Sequence, residues 1–310
     1  MHKDRTILLV LIVIAVMFAT AEAAAEKMTV FVSILPQKYF VQQIGKDLVD
    51  VQVMVQPGAS PTTYEPKPRQ MVAIARTNVY FAIGVPFENI WLTKIASSNP
   101  NMKVVHTDHG IQKIAMADHH HHREEAYHPE TDPRHEGKHG TDENRPDSGI
   151  PDPHIWLSPP LVLIQARTIS TALQEVDPDH RSVYEANYKD FISEILALNA
   201  ELTSIFTGKQ GLQFMVFHPA WGYFAHTYGL KQIPVEIQGK NPKPAQLKEL
   251  IKHAKKNNIN VIFVQPQFSA KSAEVIARGI GGQVVFADPL AEDWALNLRN
   301  MGQKIKAALR

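Results

Sequence analysis

The chain of 310 residues contains no cysteine. That absence excludes the disulfides that a protein of an oxidising compartment would otherwise use, and leaves no lipid-anchoring cysteine near the N-terminus. Charge of one sign is lacking too. Lys and Arg number 32 against 31 Asp and Glu, a formal net charge of +1, so there is no electrostatic case for nucleic acid or an anionic membrane as partner. G-x-S-x-G does not occur, which removes the commonest signature of an acyl hydrolase, while H-E-x-x-H appears once, as His135-Glu136-Gly137-Lys138-His139 inside a stretch dominated by histidine. The apolar run Ile7 to Phe18 is too short to span a bilayer comfortably. It follows His2, Lys3 and Arg5 and precedes the small residues Ala19, Ala21, Ala23, Ala24 and Ala25. Residues 1–25 are therefore expected to be a cleavable export signal, cut after Ala23 or Ala25. The remaining chain, about 285 residues, is long enough to fold on its core alone.

What the chain has in excess is histidine in one place. Nine of its 15 histidines fall between His106 and His139, including His119, His120, His121 and His122, and then His128, His135 and His139. Asp118, Glu124, Glu125, Glu130, Asp132 and Glu136 are interleaved with them, and almost nothing apolar is. Neutral imidazole is the commonest protein ligand for zinc, copper and nickel, and a tract with several imidazoles chelates without a preformed pocket. A leftover tag would be terminal and free of carboxylates, and a merely solvated loop would be richer in Lys, Ser or Gly. The stretch points to transition-metal contact.

Elsewhere, β-branched runs alternate with amphipathic segments. Strands are predicted at Thr29–Ile34, Val49–Gln56, Val79–Ile83 and Lys103–Thr107, with helices over 37–46, 69–77 and 87–97. After the His-rich insertion (106–148), helices are predicted at Leu161–Val176 and Asp179–Phe206. The second is about 28 residues and about 42 Å long at 1.5 Å per residue. Alternation then resumes, with strands Gln213–Phe217, Ile233–Ile237, Val261–Val264 and Gln283–Phe286 and helices over 221–229, 245–257, 270–280 and from Glu292. The expectation is an α/β protein of two lobes, each a parallel four-stranded sheet covered by helices, bridged by one long helix. The divisions are an N-terminal lobe 26–177, a linking helix 178–208 and a C-terminal lobe 209–310.

In such sheets ligands bind past the carboxyl ends of strands, in the crevice between lobes. His218 ends Gln213-Phe-Met-Val-Phe-His, Asp288 ends Gln283-Val-Val-Phe-Ala-Asp, and His154 lies in the Pro-bracketed Asp152-Pro-His-Ile-Trp-Leu-Ser-Pro. Singly each is as readily a hydrogen-bonded loop residue or a turn former. Together, two imidazoles and a carboxylate form a zinc or manganese set. His180, His226 and His253 read as surface residues.

At these motifs the chain resembles the bacterial solute-binding protein 9 family (cluster A-I), the periplasmic zinc- and manganese-binding components of ABC importers. The segments that carry the resemblance are Pro57-Gly-Ala-Ser-Pro with Tyr64-Glu-Pro, Phe87-Glu-Asn-Ile-Trp-Leu, Asp152-Pro-His-Ile-Trp-Leu-Ser-Pro, His218 with Gly222-Tyr-Phe-Ala and Tyr228-Gly-Leu, Pro266-Gln-Phe-Ser and Asp288-Pro-Leu. The resemblance implies a non-enzymatic periplasmic monomer that binds one Zn2+, with Mn2+ as the alternative cargo, and delivers it to an inner-membrane permease with its ATPase. It implies His154, His218 and Asp288 as ligands, with the His-rich loop marking a zinc member.

One position departs from the family pattern. Where the family has a histidine in Pro-His-x-Tyr-Glu-Pro, this chain has Thr62. A hydroxyl is a poor zinc ligand, and zinc accepts water as its fourth ligand. The alternatives are three protein ligands plus water, recruitment of Glu65, Gln56 or a loop histidine, or a different or more weakly held metal. A His/His/Asp set with an open water position is also a catalytic zinc pattern, so a zinc-dependent hydrolase is the other reading to test.

Overall fold

The computed structural model describes residues 27–116, 150–237 and 239–309. The expected export signal, residues 1–25, and the histidines from His119 to His139 lie outside the described residues; His106 and His109 lie within them. Two four-stranded parallel sheets are present. The first takes β1 (Met28–Val32), β2 (Val49–Val53), β3 (Val79–Ala82) and β4 (Lys103–His106) in the order β2-β1-β3-β4. The second takes β5 (Gln213–Val216), β6 (Lys231–Pro234), β7 (Val261–Val264) and β8 (Gln283–Phe286) in the order β6-β5-β7-β8. All strand pairs are parallel, for example Val30 opposite both Val51 and Val79, and Val216 opposite Pro234 and Phe263. Strands covered by helices on both faces read as unbroken apolar runs, as Val261-Ile-Phe-Val does, with all four residues buried. In each sheet the order reverses beside its first strand, which opens a crevice at the β1/β3 and β5/β7 forks.

The helices are α1 (Leu35–Gly45), α2 (Pro68–Ile74), α3 (Pro86–Ser97), α4 (Pro159–Val176), α5 (Arg181–Phe206), α6 (Gly222–Thr227), α7 (Pro244–Lys256), α8 (Lys271–Ile280) and α9 (Trp294–Ala308). Proline opens α2, α3, α4 and α7, where its missing N–H costs no helical bond. The long helix α5 has 26 residues and buries Tyr184, Phe191, Ile195, Leu198, Leu202 and Phe206 along one stripe. It starts later than predicted because Pro178–His180 forms a separate 3-10 turn. That turn is tied down by Asp177, whose carboxylate accepts from His180 Nδ1 and from the Tyr184 hydroxyl at 2.6 Å. His180 is thus half-buried rather than exposed, and so is His253, whose Nε2 is bonded to Gln213; His226 is exposed as predicted.

One apolar core runs through both lobes, and a smaller one lies under the outer face of the C-terminal sheet. The lobes meet where α1 and α9 both lie on α5: Phe40, Phe191 and Trp294 form an aromatic triangle, with Phe40 edge-on to Trp294 at 5.2 Å. Gly302 lets α9 approach closely, since a Cβ there would sit 2.6 Å from Leu202. No helix among the described residues is long and apolar enough to cross a membrane.

Candidate metal centre

His218 follows β5, at the fork between β5 and β7. Its backbone is clamped by Gln265, which leaves the end of β7: His218 N donates to Gln265 Oε1 (3.2 Å) and Gln265 Nε2 donates to His218 O (2.7 Å). The ring stacks on Phe268 at 4.9 Å, and its Nδ1–H donates to Glu236 Oε1 at 2.7 Å. Glu236 lies just past β6 and is only 6% exposed. His154 is held in the same manner. Its backbone N–H and its Nδ1–H both donate to Asp152 Oδ1, at 2.9 and 2.7 Å, and Asp152 is 1% exposed. A carboxylate only accepts, so each pairing places the imidazole proton on Nδ1 and leaves the Nε2 lone pair free for an electrophile. The two rings face each other edge to face, with centroids 5.2 Å apart.

The His154 segment is pinned from several sides. The Tyr223 hydroxyl, pushed up to about 12 by burial and so kept protonated, donates to Asp152 O and accepts from Ile114 N. Trp156 Nε1 donates to Pro289 O at 2.7 Å, and Trp294 Nε1 donates to Trp156 O at 2.6 Å. On the opposite wall stand Ser60, Pro61 and Thr62, then Val85 and Pro86. The first group is anchored by Phe87 N donating to Pro61 O. The second is shaped by buried Glu88, whose carboxylate accepts from Ile83 N, Gly84 N and the Ser33 hydroxyl. Gly84 has φ +81°, a conformation that favours glycine.

Of the residues singled out in the sequence, His154, His218 and Thr62 line this one cleft. Asp288 lines the adjacent cavity together with Gln56. Its Oδ1 accepts from Gln267 Nε2 (3.1 Å) and Leu290 N (2.9 Å), and both Gln267 and Leu290 form the partition between the cavities. Glu65 is exposed and Gln56 Nε2 is committed to Val53 O. Among the described residues no three His, Asp or Glu side chains converge on one point. Sequence reasoning overlooked Glu236 and the role of Asp152. The criterion that found His218, a charged residue just past a strand, also fits Glu236, and Asp152 stands inside the quoted motif.

Comparison with known proteins decides the lineage. The family model for the periplasmic zinc-uptake complex component A, ZnuA, matches residues 30–308. The chain belongs to that family. Among similar proteins of the family, the high-affinity zinc uptake system protein ZnuA of Bacillus subtilis (strain 168) is 28% identical over 268 residues, which cover 85% of this chain and 79% of its own. The zinc-binding protein AdcA of Streptococcus pyogenes serotype M3 is 27% identical over 296 residues, and the chain spans 56% of its length. A crystal structure of ZnuA superposes with a TM-score of 0.79 and 42% identity, covering 91% of this chain and 99% of that one. Membership in the ZnuA family makes the chain a metal-binding component of an uptake system, and the hydrolase reading is dropped.

Proposed function

We propose that this protein captures Zn2+ in the periplasm through His154 Nε2 and His218 Nε2, completes the site with Asp288, and hands the ion to an inner-membrane ABC permease driven by its ATPase. The observation that carries the reading is the disposition of the two rings. With Zn–N bonds of about 2.0–2.1 Å, each ring centroid lies about 3.2 Å from the ion, and a tetrahedral angle then separates the centroids by about 5.2 Å. The separation in this protein is 5.2 Å. Both rings are already oriented by buried carboxylates, the arrangement that fixes the tautomer of metal-ligating histidines elsewhere. Asp288 joins by exchanging its bond to Gln267 for one to the ion, and water fills the position left by Thr62. Two imidazoles favour zinc over manganese, which prefers oxygen donors. The protein acts as a monomer, exported by the signal in residues 1–25. The tract His119, His120, His121, His122, His128, His135 and His139 supplies additional weak contacts that gather zinc.

The test is zinc affinity and stoichiometry by chelator competition for the mature protein and for His154→Ala and His218→Ala, with Mn2+ as competitor. The expected result is loss of one tight equivalent in both variants and retention of weak ones. A tight equivalent that survives in both variants would sink the assignment, and Mn2+ displacing Zn2+ at equal concentration would favour manganese as cargo.

A further inference from the structure

The donors that share the cleft with His154 and His218 differ from those the family pattern leads one to expect. The hard carboxylate of Asp288 lies beyond Gln267, bonded to that amide and to Leu290 N. The imidazole expected on the opposite wall is Thr62. Lining the cleft beside the two histidines, however, is Met116, the last described residue ahead of His119. Its backbone is fixed there: Met116 N donates to Ile150 O at 2.9 Å, Ala115 pairs with Pro151 in an antiparallel bridge, and Ile114 N is held by Tyr223. The same short ladder leads through Pro151 and Asp152 into His154. No other methionine among the described residues lines the cleft.

We infer that this cleft is also a site for Cu(I), bound by His154 Nε2, His218 Nε2 and the Met116 thioether. The inference rests on the assignment of the two histidines made above. A thioether is a soft, uncharged donor that adds little for Zn2+ and selects Cu(I). Cu(I) is satisfied by three ligands, so neither an imidazole at position 62 nor the Asp288 carboxylate is required. At a trigonal angle the same geometry places two ring centroids about 5.5 Å apart, within about 0.3 Å of the separation present. Most of the remaining wall is apolar (Val85, Pro86, Trp156, Phe268, Leu290), with Ser60, Thr62 and Gln267 as its polar members, and suits a monovalent ion that carries little hydration. Zinc and Cu(I) would therefore compete for the two imidazoles while drawing their remaining ligands from different walls.

The test is anaerobic titration of the mature protein with Cu(I) buffered by bathocuproine disulfonate, in parallel with zinc titration, for the native chain, Met116→Leu and His218→Ala. Met116→Leu preserves volume and apolarity. It is expected to weaken the tight Cu(I) equivalent by tenfold or more, leave zinc affinity within about threefold, and remove the Cu–S component from the X-ray absorption spectrum. His218→Ala is expected to lose both metals. Unchanged Cu(I) affinity in Met116→Leu, or equal weakening of Cu(I) and zinc, overturns the inference while leaving the zinc site standing. Tight zinc retained by His218→Ala overturns the zinc assignment, and the Cu(I) site falls with it.

Discussion

The sharpest consequence of the geometry concerns Glu236, which does not itself touch the ion in the proposed mechanism. Its carboxylate is the acceptor for His218 Nδ1–H at 2.7 Å and is only 6% exposed, so water does not readily replace it. Partners of this kind are worth 10–100-fold in metal affinity, about 1.4–2.7 kcal/mol. Two substitutions divide that amount. Glu236→Gln keeps a carbonyl acceptor at the same reach and loses only the charge that makes the imidazole a stronger donor to zinc, so about tenfold weakening is expected. Glu236→Ala also leaves the Nδ1–H without an acceptor, a loss of about 1–3 kcal/mol, and weakening should approach 100-fold. Neither change touches the Phe268 stack, the Gln265 clamp or the bond from Glu236 N to Phe217 O, so the loop should stay in place. The assay is competition for Zn2+ against a fluorescent chelator of matched affinity, with the metal-free Tm as the check on folding. Equal affinity in all three proteins, or a Gln variant weaker than the Ala variant, would refute the reasoning.

Two further outcomes follow from other parts of the cleft. Thr62→His should tighten zinc by tenfold or more, because Thr62 is exposed on the cleft wall and a third imidazole would replace water as the fourth ligand; an unchanged affinity means another group already fills that position. The Glu88 carboxyl is pushed above its ordinary 4.5, chiefly by burial and also by Asp108, while bonds from Ser33, Ile83 N and Gly84 N pull it back. A raised value means that the folded state holds the proton more tightly, so this contribution to stability is fully present below about 4.5 and is lost as pH rises through the folded value. The Tm of the native protein relative to Glu88→Gln should therefore fall as pH rises from 4.5, and a difference that does not vary with pH contradicts it.

The fold was legible because buried parallel strands write themselves as β-branched runs and the long helix as an uninterrupted apolar period. Where boundaries slipped, tertiary partners decided. Pro178 and the Asp177 cap delay α5 to Arg181. The sixth strand was expected at Ile233–Ile237, yet its ladder is Lys231–Pro234, because β5 offers partners only from Gln213 to Val216. Val235 is fully buried past the ladder, and apolarity alone does not separate the two cases. In the site, His218 was legible from its place past a strand end and His154 from its Pro-bracketed segment, which follows no strand directly. Asp152 and Glu236 were missed because the search was for ligands and not for what orients them. The partition that sets Asp288 apart depends on Gln267, a residue with no sequence signal of its own.

The bracing of the His154 segment also constrains how an ion could leave. A capture protein that released its cargo by parting two lobes would carry one histidine on each. Here the segment 152–158 is fastened to the C-terminal half at Asp152, Trp156 and Ser158. The Tyr223 hydroxyl holds Asp152 O, Gly222 lies so close to Asp152 Oδ2 that a Cβ would approach to 2.7 Å, Trp156 holds Pro289 O, Trp294 holds Trp156 O, and Ser158 bonds Thr227. His154 and His218 therefore move as one body, and separating them would break several buried hydrogen bonds, each costing about 1–3 kcal/mol if left unmade. The elements free to move are those that approach the pair from elsewhere: the wall of Ser60, Pro61 and Thr62 with Val85 and Pro86, and the carboxylate of Asp288, which needs only to return to Gln267 and Leu290 N. Hand-off on the proposed mechanism then runs through withdrawal of Asp288 and opening of the opposite wall, while the two imidazoles stay in place for the next ion.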